Sequence, residues 1–446
     1  MHKRLLLAAT LVLAAPLAAA DDPSATVSQA RLTADIQRLV AFGTRHTLSV
    51  QDDPDRGIGA ARRWGEAEFR NASKACGGCL TIALPERMVQ GARVPTPTRL
   101  VDVVAIQLGT ERPNEVVIVQ AHIDSRVTDV MNATADAPGA NDDGSGTALV
   151  LESARVLSQR KYPVTIVYAL LSGEEQGLLG GQLLADYAQE HGWQVKAVLN
   201  NDIVGNSCSS DGFCDAAHVR VFSEGPRADL DDKTRAAQRR DGGENDSPSR
   251  NLSRFVAGLD DAALEVRQIW RADRMGRGGD HLPYLDKGYP AIRFSVAVEN
   301  YDRQHQDLRT ENGVVYGDTI EAMDLPYLAR VTALNVRMID RLARTPMPPV
   351  PAAEAAVQTF TTIRWNEMPG AANYSIWQRR TDEANWGDAP VIANVVATSA
   401  KLEGVRGDDW VFGVNSCSAD GLCGPIASAV PGGGFIPLAQ QQGDKN

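Results

Sequence analysis

The stretch VVIVQAHIDSRVTDVMNATADAPGANDDGSG, residues 116–146, opens on four aliphatic side chains and closes in an acidic, turn-rich loop. Val116 to Val119 offer no polar face, the pattern of a strand buried on both sides. The run ends in Ala121-His122-Ile123-Asp124-Ser125, which is polar and rich in donor atoms. Pro138-Gly139-Ala140-Asn141-Asp142-Asp143 then supplies breakers and acids just ahead of a helical pattern that runs from Gly146 to Gln159. In a parallel α/β sheet, catalysts gather at the carboxyl ends of the strands. A histidine followed by carboxylates at such an end therefore marks a candidate site.

Outward from this stretch the same unit repeats. Pro163 to Leu171 (PVTIVYALL) is a second apolar strand, and it runs into Ser172-Gly173-Glu174-Glu175 before a helix over 178–189. Val195 to Leu199 is a third, ending in Asn200-Asn201-Asp202. Strands are also expected over 99–107, 218–223 and 291–296, with helices over 28–40, 58–71, 251–264 and 325–342. Residues 226–249 are polar and read as a surface excursion. Alternating strands and helices predict an α/β fold: three layers, a mixed, mostly parallel sheet with helices on both faces. After Pro-rich residues 345–351, a stiff spacer, the pattern changes to short alternating strands over 352–432. That is a small all-β sandwich. Trp365 and Tyr374 within it resemble the core Trp and Tyr of fibronectin type III domains. Residues 433–446 read as a flexible tail.

The chain has 446 residues, a formal charge of −11 and no basic run, which argues against nucleic acid or an anionic membrane as partner. His2-Lys3-Arg4, apolar residues 5–17 and Ala18-Ala19-Ala20 form a signal peptide over 1–20. The apolar run is too short for a membrane anchor. A periplasmic or secreted location follows. Six cysteines fall into the close pairs Cys76/Cys79, Cys208/Cys214 and Cys417/Cys423. In an exported chain these are expected to form three local disulfides.

Taken singly, each polar strand end has an ordinary explanation. A His-x-Asp is commonly structural, Glu-Glu suits a first helical turn, and Asp202 can be a turn residue. Together, two histidines and three carboxylates at one sheet edge suit one or two divalent cations, zinc above all. A further carboxylate is available as a base.

Five ordered motifs then become specific: His122-Ile-Asp124, Pro138-Gly-Ala-Asn-Asp142-Asp143, Glu174-Glu175, Asn200-Asn-Asp202 and His305-Gln-Asp307. On these the chain resembles the di-zinc exopeptidases that include bacterial leucyl aminopeptidase and aminopeptidase Y, over about residues 30–340. The resemblance implies a catalytic domain at 21–344 holding two Zn2+ per chain. One ion would be held by His122, Asp142 and Asp202, the other by Asp142, Glu175 and His305, with Asp142 as the bridge. The choice of Asp142 over Asp143 comes from the resemblance alone. Asp124 would orient His122. Glu174 would activate a metal-bridging water for attack on peptides with a free N-terminus. Relatives often carry an oxyanion-donating Tyr before the segment matching Asp280-His281. Here Arg274-Met-Gly-Arg277 stands in its place, so Arg274 or Arg277 is a candidate for contact to the oxyanion, and Asp280 and His281 are candidates either to support the metal ligands or to contact substrate. Arg45 and His46 read as structural, and His191 and His218 carry no functional reading.

Two other readings share these residues. The same fold serves carboxypeptidases, which Arg274 and Arg277 would suit, and glutaminyl cyclases, which use one zinc. A non-catalytic binding ectodomain would be expected to have lost ligands. All five, and Glu174, are retained here.

Overall fold

An eight-stranded sheet runs through the larger part of the chain, which the computed structural model describes over residues 22–443. The leader expected at 1–20 lies outside the described residues. In chain order the strands are β1 (Leu80–Ala83), β2 (Val103–Gln107), β3 (Arg112–His122), β4 (Val164–Leu171), β5 (Gln194–Asn201), β6 (His218–Phe222), β7 (Glu265–Ile269) and β8 (Ala291–Val296). Their spatial order is β1-β2-β4-β3-β5-β8-β6-β7. The four strands β4-β3-β5-β8 run parallel to one another. Polar strand ends at His122, Leu171 and Asn201 therefore share one edge of the sheet.

The apolar run at 116–119 works as its pattern predicts. Val117 and Val119 pack on one face with α1 (Gln29–Ala41), α2 (Gly57–Ala75) and α3 (Gly144–Leu157). Val116 and Ile118 face the other way, into a core shared with Leu184 and Ala185 of α4 (Leu179–Glu190). Each such aliphatic side chain contributes about 1.5–3 kcal/mol by leaving water. α3 is buried all round apart from Arg155, as a helix wedged between sheet and outer helices must be. At its start, a Cβ on Gly146 would stand 2.1 Å from the carbonyl of Asn201, so glycine lets the helix approach β5.

Several local expectations change. The strand expected over 99–107 is broken at Asp102, whose carboxylate accepts from Ser172 N at 2.9 Å. Residues 94–101 pair instead with Glu86–Gly91 in a separate hairpin. The helix expected over 251–264 is Pro248–Ala257 and is followed by β7. Residues 226–249 are a surface excursion only in part. They contain the helix Asp232–Asp241, and Arg227, Gln238, Asp246 and Ser247 are buried.

The C-terminal part forms two antiparallel sheets, of three and four strands. Ile363 and Leu402 of one and Tyr374, Ile376 and Val414 of the other lie in a common core. Trp365 and Tyr374 meet edge to face at 5.4 Å between centroids. This part packs on the helix Pro248–Ala257 and the loop that precedes it. Arg379 Nη2 donates to Asp246 at 2.5 Å, Asn251 Nδ2 to Ser428 Oγ at 2.8 Å and Trp386 Nε1 to Asn251 at 3.1 Å. Residues 345–351 are extended but are no free spacer, because Thr345 and Met347 are buried. The segment from 433 was expected to be flexible. Instead Phe435 is fully buried, Arg227 Nη1 donates to the carbonyl of Gly434 at 2.7 Å, and a helix forms over Leu438–Gly443. The three expected disulfides, Cys76–Cys79, Cys208–Cys214 and Cys417–Cys423, are all formed. Among the described residues no helix is long and apolar enough to cross a membrane.

Lys196 ties the extended segment to the sheet. Its Nζ, wholly buried, donates to Thr345 O at 2.6 Å and Leu342 O at 3.1 Å and lies 3.4 Å from Glu115. Burial pushes its ammonium down to about 8. An unfolded lysine titrates at about 10.4, so between these values the unfolded chain holds a proton that the folded chain has released. Stability from this group therefore rises with pH across that window, by an amount on the order of 3 kcal/mol. Denaturant unfolding at pH 7.5 and pH 10 should show wild type gaining relative to Lys196→Met. An equal difference at both pH values would remove the assignment.

Candidate metal centre

His122 is the last residue of β3, and both nitrogens of its ring face carboxylates. Nδ1 lies 3.1 Å from the carbonyl and 3.5 Å from the carboxylate of Asp124. Nε2 lies 3.2 Å from Asp142 Oδ1 and 3.9 Å from Asp202 Oδ1. The other oxygen of Asp142, Oδ2, stands 2.9 Å from His305 Nε2, which is also 3.0 Å from Glu175 Oε1. Donor atoms mutually within 4.8 Å form two groups: His122, Glu174 and Asp202, and Asp142, Glu175 and His305. Asp142 thus sends one oxygen toward each imidazole.

Its neighbour points elsewhere. Asp143 Oδ1 accepts from Gly146 N at 2.9 Å as the N-cap of α3, and Oδ2 accepts from His122 N at 3.2 Å. Asp318 fixes the preceding backbone, accepting from Asn141 N at 3.0 Å and Asp142 N at 2.7 Å. Gln304 Nε2 donates to Asp142 Oδ2 at 2.8 Å. Asp124 is wholly buried and accepts from Thr47 Oγ1 at 2.9 Å and from the backbone N–H groups of Glu174 and Glu175 at 3.3 Å. One carboxylate so joins the ends of β3 and β4.

Backbone strain accompanies two of these positions. His305 has φ +56° and Ile203, directly after Asp202, φ +49°, in the left-handed region that side chains with a Cβ rarely occupy. The turn carrying His305 is braced by the disulfide loop 208–214: Ser210 Oγ donates to Asn300 Oδ1 at 3.2 Å and Asn300 Nδ2 to Cys208 O at 3.3 Å.

The electrostatics fit a cation. Burial opposes charge on both imidazoles, yet Asp124 and Asp142 hold His122 well above the usual range, and Glu175 and Asp142 lift His305 to about 10. Burial likewise opposes charge on Asp142 and Glu175. His305 outweighs it for both, with His122 adding to the effect at Asp142, and both carboxyls are lowered. Burial pushes Glu174 well up, reinforced by Asp202, Glu175 and Asp280. A donor set that draws protons onto its histidines is short of positive charge. Carboxylate and imidazole donors in this number suit zinc.

The other expected residues divide. Arg45 is structural as read: it is wholly buried and donates to the carbonyls of Ile123, Leu39, Pro138 and Gly139. His46 is buried on Val130 O at 2.9 Å. Arg277, a third exposed, donates to Glu299 at 2.6 Å. Asp280 and His281 are held within the protein, as side chains that support the ligands would be. Asp280 accepts from Gly181 N at 3.2 Å, His281 Nε2 bonds Ala272 O at 2.7 Å, and both are fully enclosed. Three contributors escaped the sequence reading. Arg293, wholly buried in β8, reaches Asp202 Oδ1 at 2.8 Å; a lone arginine inside the apolar run AIRFSV was the available signal. Arg126 and Asp318 lie in loops where a charge ordinarily means solvent, so pattern gave no warning.

Such a carboxylate and imidazole cluster on the carboxyl edge of a mostly parallel sheet defines a zinc-dependent hydrolase. The family model for peptidase family M28 matches residues 102–337. A chain of Leptosphaeria maculans named "probable zinc metalloprotease" is 41% identical, covering 91% of this chain and 95% of its own. One from Pyrenophora tritici-repentis with the same description is 40% identical, covering 91% and 86%. The LapA aminopeptidase structure from Legionella pneumophila shares the fold at TM-score 0.53 and 19% identity, covering 76% of this chain and 80% of that one. The chain belongs to peptidase family M28, a family of zinc metallopeptidases.

Proposed function

We propose that the protein is an exported aminopeptidase that uses two zinc ions to remove N-terminal residues from peptides. The observation that carries this reading is Asp142, with one oxygen 3.2 Å from His122 Nε2 and the other 2.9 Å from His305 Nε2. His122 and Asp202 would hold one ion, Glu175 and His305 the other, and Asp142 both. When bound, zinc polarises a scissile carbonyl and makes water a nucleophile at neutral pH.

The chain's own groups do the rest. Glu174 takes the proton of the attacking water and returns it to the leaving amine nitrogen. Burial, which pushes its carboxyl up, strengthens it as an acceptor. Asp124 keeps the His122 ring oriented, leaving Nε2 free to coordinate. The aminopeptidase named among the similar folds supports the free N-terminus as the recognised feature. Three disulfides support export, with residues 1–20 as signal peptide. The edge-to-face Trp365–Tyr374 pair supports a fibronectin type III-like unit after the catalytic domain.

The test combines metal analysis with hydrolysis of aminoacyl p-nitroanilides, free and N-blocked, before and after chelation. About two zinc ions per chain and chelator-sensitive release from free-amine substrates alone are expected. Cleavage only of C-terminal residues, or cyclisation of N-terminal glutamine, would replace this reading with the carboxypeptidase or the cyclase.

A further inference from the structure

The hairpin of residues 86–101 ends at the donor set. Its turn carries Arg93, whose Nη1 donates to the backbone carbonyl of Glu175 at 3.1 Å. The hairpin is anchored. Val94, the next residue, is buried, and Arg87 pairs with Asp186 of α4 at 2.7 Å. Arg93 itself is exposed, and the Glu175 carbonyl is its one acceptor among the described residues. A guanidinium has five N–H donors, so most of this fork stays open to a ligand.

The surrounding charges give a substrate a direction. At the Glu175 end stand two guanidiniums, Arg93 and Arg126, and Arg126 already donates to Glu175 Oε2 at 2.8 Å. At the Asp202 end the nearby guanidiniums have carboxylate partners outside the donor set. Asp273 lies 3.1 Å from Arg293 Nη1, and Glu299 lies 2.6 Å from Arg277 Nη1. A short peptide with a free N-terminus carries a positive end and a negative one. The unpaired guanidinium of Arg93 repels the first and attracts the second. Reach agrees with this direction. Arg93 is bonded to the main chain of a donor residue, so little more than one glutamate side chain separates its fork from the donors. An extended residue spans about 3.3–3.6 Å, enough for the residue after the scissile bond to meet it.

We propose that Arg93 determines substrate specificity by binding a carboxylate on the residue that follows the scissile bond, either the C-terminus of a dipeptide or an acidic side chain. The inference rests on the aminopeptidase reading above and names its substrate class. Paired N–H donors on one carboxylate give such recognition both strength and direction.

The test uses dipeptides built on the N-terminal residue that the p-nitroanilides rank first, written Xaa. Two pairs differ by one negative charge: Xaa-Gly against Xaa-Gly amide, and Xaa-Asp amide against Xaa-Asn amide. In at least one pair, wild type should favour the carboxylate about 10- to 100-fold in kcat/KM, the scale of a charge-assisted hydrogen bond. Arg93→Gln should bring that ratio close to one, chiefly through KM, and Arg93→Lys should retain part of it. The pair that responds identifies the source of the carboxylate. A merely structural role at the Glu175 backbone would lower both members of a pair alike, and that result would overturn the inference. So would a wild type without preference in either pair, or a preference that survives in Arg93→Gln. Cleavage of none of the four, or of N-acetyl-Xaa-Gly as fast as Xaa-Gly, would instead overturn the aminopeptidase reading itself, and this inference with it.

Discussion

Asp142→Asn should lower bound zinc from about two ions per chain to one or fewer and reduce kcat roughly 10³-fold, the scale of losing a group that stabilises transition-state charge. The substitution changes one oxygen for an amide nitrogen, which has no lone pair to offer a cation. In the wild type both oxygens are committed, one toward His122 and one toward His305. The fold should survive, because Asp318 holds residue 142 through its backbone N–H rather than its side chain. Metal analysis and kcat on a free-amine p-nitroanilide, with the thermal transition as control, check this. The matching change Asp143→Asn should instead lower the thermal transition, since Asp143 caps α3 and bonds His122 N. Retention of two ions and full turnover in Asp142→Asn would end the bridging assignment.

Glu174→Gln separates a base from a ligand. As the base, its loss should lower kcat by roughly 10²–10⁴-fold with KM little changed, while both zinc ions stay bound. The geometry makes this a necessary test, because Glu174 also lies within donor range of His122 and Asp202. A loss of zinc in step with activity would make it a ligand, and the proton acceptor would have to be sought elsewhere. Asp124 is a poor alternative, being wholly enclosed and already bonded to Thr47 and to the backbone of residues 174 and 175.

Much of the site was legible because its residues sit where strands end. His122, Glu174, Glu175 and Asp202 each follow an apolar run, and a run buried on both faces announces its own carboxyl end. His305 had no such marker. It stands on a turn strained at φ +56° and held by the 208–214 loop, and only the resemblance singled it out. The misread segments share another cause. Residues 226–249 and 433–441 are polar or glycine-rich, and composition of that kind suggests solvent. Parts of them, among them Arg227, Gln238, residues 246–249 and Phe435, are buried because they pack on each other and on the C-terminal sheets, through contacts such as Arg227 to Gly434.

The sequence by itself determined the α/β fold class, the order of the strands that carry the site, the β-rich C-terminal part and the three local disulfides. All of these follow from hydrophobic periodicity or from cysteines close in the chain. The residues themselves leave Asp142 and Asp143 alike; the resemblance alone chose between them, and in the tertiary structure the helix recruits Asp143 as its cap while Asp142 turns toward the imidazoles. Only the tertiary structure enclosed Asp280 and His281 and brought Arg126 and Arg293 onto the donor carboxylates. Pairings between charges distant in sequence leave no period in the chain, because they arise where loops from different strands converge at one sheet edge.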